Sequence, residues 1–337
     1  MLLVGSDDGV YRVDRSGESA TAKATKLLDT GRVKRLRRFE GIEGVFTATT
    51  TGLYRSVDGE RWTELGVPQE KVYSVAADLS GERLYAGTRP ARVYVTESIG
   101  AGSIDGEETT AVNVEWRELD GFQELPSRDE WRLPRHDDLA QVRDLHVDPG
   151  TSERVVAGVE VGGVHVSEDG GRSWDERSYG VDDDVHELRV VDPGEYVAAT
   201  GHGLYHTSDA GRTWRRLDRS VTQSYFRAVF SIDDTVYASG ALSNSSTWDD
   251  DDADPALFAY HGDDSLEAVA LPREDETVTG MTAVEGDLAV ATHRGSLFVR
   301  TASDWEDAGT FSVPGELTGR YTPVTSDSDR DAWFEIG

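Results

Sequence analysis

An all-β fold, a ring of seven four-stranded antiparallel sheets, is what this 337-residue sequence predicts, on three observations. An apolar–aromatic motif recurs as Val10-Tyr11, Leu53-Tyr54, Val93-Tyr94, Val164-His165, Leu204-Tyr205, Leu257-Phe258 and Leu297-Phe298. Four of the intervals are close to the forty-odd residues of a four-stranded blade, and the two long ones hold insertions. Between the anchors, apolar and polar residues alternate over short runs bounded by Gly, Pro and Asp, and no segment has a helical period. The fold class is therefore a seven-bladed β-propeller.

The blades are expected over 1–30 with 319–337, 31–66, 67–120, 141–180, 181–219, 220–272 and 273–313, with 121–140 as an insertion and the whole chain as one propeller. Met1–Gly5 reads as a second (B) strand, so the first blade lacks its innermost (A) strand. Tyr321–Thr325 or Ala332–Ile336 is expected to supply it, closing the ring and removing an exposed sheet edge. The clearest blade reads Val142–Val147 (A), Arg154–Val159 (B), Gly163–Ser167 (C) and Trp174–Arg177 (D), with Asp148-Pro149-Gly150 turning A into B. The next blade repeats it with Val185–Val191, Tyr196–Thr200, Gly203–Thr207 and Trp214.

The C-to-D connection Ser167-Glu-Asp169-Gly-Gly171-Arg-Ser-Trp174 reads as a structural turn. Gly170 and Gly171 permit positive φ, Asp169 accepts backbone N–H groups, and Trp174 packs between blades. Thr207, Asp209, Gly211 and Trp214 repeat it; Asp58 to Trp62 is one residue shorter, and Trp116 and Trp305 keep only the Trp. Ser/Thr-x-Asp-x-Gly-x-x-Trp resembles the Asp-box of BNR-repeat propellers, which include sialidases, sortilin-like receptors and photosystem II assembly factors. The resemblance implies a WD40-like ring. Trp131-x-x-Pro134-Arg135, Val142-Arg143 and Glu160-x-Gly-Gly163 further resemble a sialidase-like subgroup without an assigned reaction. The Arg-Ile-Pro motif of true sialidases is absent, which argues against that activity.

Asp and Glu total 64 against 34 Lys and Arg, a formal charge of -30, and the lysines are Lys23, Lys26, Lys34 and Lys71. So acidic and lysine-poor a chain is expected from a salt-accumulating, haloarchaeal type of organism, in which salt screens the repulsion. The charge opposes binding to nucleic acid backbones or anionic membranes. Without cysteine there is no disulfide or thiolate chemistry. Without a signal-like N-terminus or an apolar span, a cytoplasmic monomer is expected. No cofactor or metal is predicted; His186, Glu187 and His202 lack a fixed ligand spacing.

The Asp-turns lie on one face of the ring, so the candidate site belongs to the other, where the B-to-C and D-to-A loops lie. That face carries Arg89, Glu160, His202, His293 and Arg294, and near it start the A strands with Arg143, Asp144, His186, Glu187, Tyr225 and Arg227. The long Gly121–Asp138 connection is expected to cover it, with Trp131 as an apolar wall or a hydrophobic plug, and with Arg135 beside it. The expected role is binding of a protein partner or of a small polar, anionic or carbohydrate-like ligand by Trp131, Arg135, Arg143, Glu160, His186, Glu187, His202, Tyr225 and Arg227. The alternative is a glycosidase or lyase drawing two carboxylates from Asp144, Glu160 and Glu187, which would sit roughly 5–5.5 Å apart for retention or 6.5–9.5 Å for inversion. Trp248 to Asp254 reads as a mobile, hydrated acidic loop.

Overall fold

A computed structural model describes residues 1–14, 23–97, 99, 114–263, 265–301, 304–311 and 321–326. It contains seven four-stranded antiparallel sheets in a ring. In six of them the strands run in chain order from the centre outward, beginning with the A strands Val33–Phe39, Val72–Ala77, Gln141–Val147, Val185–Asp192, Tyr225–Ile232 and Val278–Val284. The seventh joins Val324–Ser326 to Leu2–Gly5, with Leu2 opposite Ser326 and Val4 opposite Val324. The ring thus closes through the first of the two C-terminal segments considered; the second, 332–336, lies outside the described residues.

The hydrophobic core is distributed between blades, because each sheet buries both faces. Val156, Val164 and Val166 of the fourth blade pack against Val185, Leu188, Val190 and Tyr196 of the fifth. Close approach needs small residues on the B strands: a Cβ on Gly158 would lie 2.8 Å from Val185 Cγ1. Asp148 ties the same two blades together. It is fully buried and accepts from Tyr196 Oη at 2.6 Å, from the Gly194 amide at 2.9 Å and from Arg154 at 3.2 Å.

The Asp-turns fold on themselves as their residues predict. Asp169 accepts from the Ser173 amide (2.9 Å) and hydroxyl (2.7 Å), while Ser167 Oγ accepts from the Gly171 amide at 2.8 Å. Asp209 and Thr207 repeat this with Thr213 and Gly211. Gly170 and Gly171 have φ of 73° and 91°, where a Cβ is disfavoured. Trp116, Trp214 and Trp305 each donate Nε1–H to a backbone carbonyl of the preceding blade, Leu65, Arg177 and Ala270. Trp174 instead bonds to Gly171 in its own turn and meets Phe122 edge to face. Among the described residues no helix is long and apolar enough to cross a membrane.

Candidate functional site

The inner wall of the ring departs from regular pairing at one equivalent place in six blades. Each A strand bulges after its first or second paired residue, and one residue is left without a cross-strand partner: Lys34, Tyr73, Arg143, His186, Arg227 and Thr279. A bulge bends the strand and re-aims the extra side chain. Repeated around a ring, it supplies a circle of six side chains at the loop-face end of the channel. The same six places in an ordinary sheet would follow the in-and-out alternation of their strands.

Two pairs of cations share tyrosine rings there. Lys34 Nζ and Arg89 Cζ lie 4.8 and 5.3 Å from the Tyr73 ring centre. Arg143 Cζ and Arg227 Cζ lie 5.3 and 3.9 Å from that of Tyr321, which precedes the closing strand. The π faces stabilise such cations without neutralising them. Burial, then Arg143 and Arg32, push the Lys34 ammonium well below its ordinary pKa. Burial and Arg143 likewise lower that of Arg227. Burial would raise the Tyr321 phenol, but the facing Arg227 and Arg143 outweigh it and bring it down.

Glu160, at the start of the B-to-C loop of the fourth blade, is buried among donors. It pairs with Arg135, accepts from Gln141 Nε2 at 2.6 Å and lies 3.5 Å from Arg143. Burial opposes its ionisation, yet Arg143, His186 and Arg135 outweigh it and hold the carboxyl down at about 2. His186, also buried, donates Nδ1–H to the Phe226 carbonyl at 2.7 Å and turns Nε2 toward Asp184, 3.5 Å away. Tyr225 packs on His186 with ring centres 4.6 Å apart, and burial raises its phenol well above the usual value.

Deeper in the channel the carboxylates are neutralised. Asp144, fully buried, meets Arg35 at 3.2 Å and Arg37 at 3.0 Å, and these pairs overcome burial to hold it far below the carboxylate range. Glu187 pairs with the same Arg35 and accepts from the Val229 amide at 3.1 Å. A glycosidase acid needs a carboxyl whose pKa is raised. Asp144 and Glu160 are shifted the opposite way.

Arg135, Arg143, Glu160, His186, Tyr225 and Arg227 come together at the channel mouth. Glu187 joins the deeper ion-pair layer, and His202 stands exposed at the rim, 3.3 Å from Asp182. Trp131 is not a wall of the site. It is 2% exposed and packs against Phe122, His165 and Arg128, with Nε1–H on Ser127; the insertion needs an apolar anchor, and Trp131 is that plug. The acidic run also differs from the hydrated loop expected. Trp248 is buried against Tyr225, Tyr321 and His293, and Asp249 pairs with Arg294 at 2.9 Å, while Asp250 to Asp252 face solvent.

Sequence reasoning missed Lys34, Tyr73 and Tyr321. The first two were findable, because Val33-Lys34, Val72-Tyr73, Val142-Arg143, Val185-His186, Phe226-Arg227 and Val278-Thr279 align once the blades are superposed. Among the described residues, the one set close enough to share a metal ion is Glu160, Asp184 and His186, whose ligand atoms lie within 4.8 Å of one another. Both Glu160 oxygens already serve Arg135, Gln141 and Arg143, so a cation there would face two guanidinium groups.

The chain matches no family model and no curated protein sequence. Solved structures of similar shape are propellers. YCF48 bound to D1 peptide has a TM-score of 0.57 at 14% identity over 88% of each chain. The WD40 propeller domain of Doa1 has 0.57 at 11% identity, covering 92% of this chain and 88% of that one. A GH74 xyloglucanase from Xanthomonas campestris has 0.55 at 15% identity, over 88% of this chain and 46% of the enzyme. At such identities the likeness establishes the fold.

Proposed function

We propose that this protein is a binding propeller that takes an anionic small molecule, or an anionic group of a partner, at the loop-face mouth of its channel. One observation carries the reading: in a chain of charge -30, Lys34, Arg89 and Arg227 gather at this mouth with no carboxylate paired to any of them among the described residues. Arg89 Nη1 and Arg227 Nε are buried without an acceptor. Buried donors without acceptors are destabilising unless something else supplies the acceptor. The neutralised carboxylates favour binding over glycoside hydrolysis. YCF48 bound to D1 peptide, a propeller of similar shape, supports peptide binding as one use of such a ring.

The Asp-turns support kinship with BNR-repeat propellers, and the acidic, lysine-poor composition supports a salt-adapted, cytoplasmic protein. The test is a thermal-shift screen of anionic metabolites, neutral sugars and acidic peptides, repeated on Arg89→Gln and on Arg12→Ala as a remote control. Anionic hits that weaken in the first variant and persist in the second are expected. Hits indifferent to Arg89, or confined to neutral sugars, would overturn the reading.

A further inference from the structure

The geometry points to a doubly charged oxyanion, a phosphate group, as the ligand of this mouth, seated between the Lys34–Arg89 pair on Tyr73 and the Arg143–Arg227 pair on Tyr321. This rests on the binding reading above and narrows it to one chemistry.

Among the described residues, charge at the mouth is unbalanced. Lys34, Arg89, Arg135, Arg143 and Arg227 face Glu160 and Asp184, and Glu160 is shared between Arg135 and Arg143. A monoanion such as a carboxylate would leave most of that surplus in place, whereas a dianion removes the larger part of it. The donors also suit an oxyanion with several acceptor oxygens. Arg227 Nε and Arg89 Nη1 are buried and unused, and Lys34 Nζ has a ring beneath it and no acceptor among the described residues. Guanidinium groups match phosphate oxygens in a planar fork, and an ammonium adds a point charge. Lys34, Arg227 and Tyr321 line one space together with Arg35, Arg37 and Glu187 of the deeper layer, so one cation of each pair opens on it.

The surroundings of Lys34 add a second signature. The charged and titratable groups around it are Arg32, Arg89, Arg143, Glu160, His136 and Tyr73, and after burial the arginines disfavour its ammonium. A dianion seated here opposes that field and favours the Lys34 ammonium.

The experiment is calorimetric titration of the whole chain with inorganic phosphate, glucose 6-phosphate, sulfate and acetate in about 0.5 M KCl, so that screening is constant. It is run at about pH 8.5, where phosphate is already doubly charged. Phosphate and sulfate are expected to bind at least about tenfold more tightly than acetate, as charge-assisted multidentate contacts do. Lys34→Met should weaken both, because it removes the ammonium's point charge. Glucose 6-phosphate binding more tightly than inorganic phosphate identifies an ester as the natural form, and the reverse identifies the free ion. Arg227→Gln should weaken phosphate about tenfold without lowering the ligand-free melting temperature, which separates binding from folding. If acetate or a neutral sugar binds this mouth as well as phosphate and depends equally on Arg227, the dianion inference fails while the binding reading survives. If no anion binds, or binding ignores both Arg227 and Lys34, both fail.

Discussion

Replacing Arg227 with Met is expected to stabilise the ligand-free protein while removing its affinity for anions. Arg227 is 5% exposed, its Nε meets no acceptor, and after burial the neighbouring Arg143 disfavours its charge further. A buried donor left unsatisfied costs about 1–3 kcal/mol, and substituting buried charged groups with apolar residues of similar volume often gains about 1–4 kcal/mol. Against this stands the loss of stacking on Tyr321 at 3.9 Å, worth about 2 kcal/mol in a desolvated setting. The balance is a gain of about 1 kcal/mol, which for a chain of this size raises Tm by about 1–2 °C. Asp144→Asn supplies the contrast. It breaks the pairs with Arg35 and Arg37 in a fully buried place, so a loss of about 3–5 kcal/mol is expected. Calorimetric melts of both variants, with and without phosphate, decide the matter. If Arg227→Met is destabilised by about as much as Asp144→Asn, Arg227 is part of the structural ion-pair network, and the functional reading of the mouth is refuted.

Asp169→Ala should cost about 0.5–2 kcal/mol, the loss of a side-chain-to-backbone cap, and leave anion titrations unchanged because its turn lies on the opposite face. Denaturant unfolding of Trp174→Ala should show a larger loss, about 3 kcal/mol, since the ring packs on Phe122. His165 is fully buried and burial lowers its pKa to about 4. Its depressed folded value means that stability is whole above the unfolded pKa of about 6.5 and is lost as pH falls toward 4, by about 3 kcal/mol in all. Urea midpoints of His165→Phe should decline less over that window than those of the parent, the rest of the loss belonging to His136, His146 and His293, whose pKa values burial also lowers. Glu160, held at about 2, contributes stability that is complete above about pH 4.5 and lost between there and pH 2; Glu160→Gln should flatten that limb of the curve. Thermal melts from low salt to molar KCl should rise, because screening relieves the repulsion of a chain of charge -30; a flat response would remove the salt-adaptation reading.

Where the rule was local, the sequence determined the outcome by itself. Strand alternation, Asp148-Pro149-Gly150, the Ser167 to Trp174 turn and the seven apolar–aromatic anchors each act over a few residues, and repetition multiplied weak signals into a ring. Closure followed because a leading B strand without its A strand needs a partner, and Val324–Ser326 meets that need. Arg143, His186 and Arg227 were legible as polar residues at A-strand starts, although the alternation of a regular strand says nothing of the bulge that frees them from pairing. Only the tertiary structure decided which charges are matched. Asp144 finds Arg35 and Arg37 across more than one hundred residues, while among the described residues Arg227 finds a tyrosine ring and no carboxylate within ion-pair distance. It also decided that Trp131 plugs an insertion and that Trp248 is anchored beside Tyr321. Burial and ion pairing depend on which blades face one another across the channel, and a linear pattern with a period of one blade carries no information about that distance.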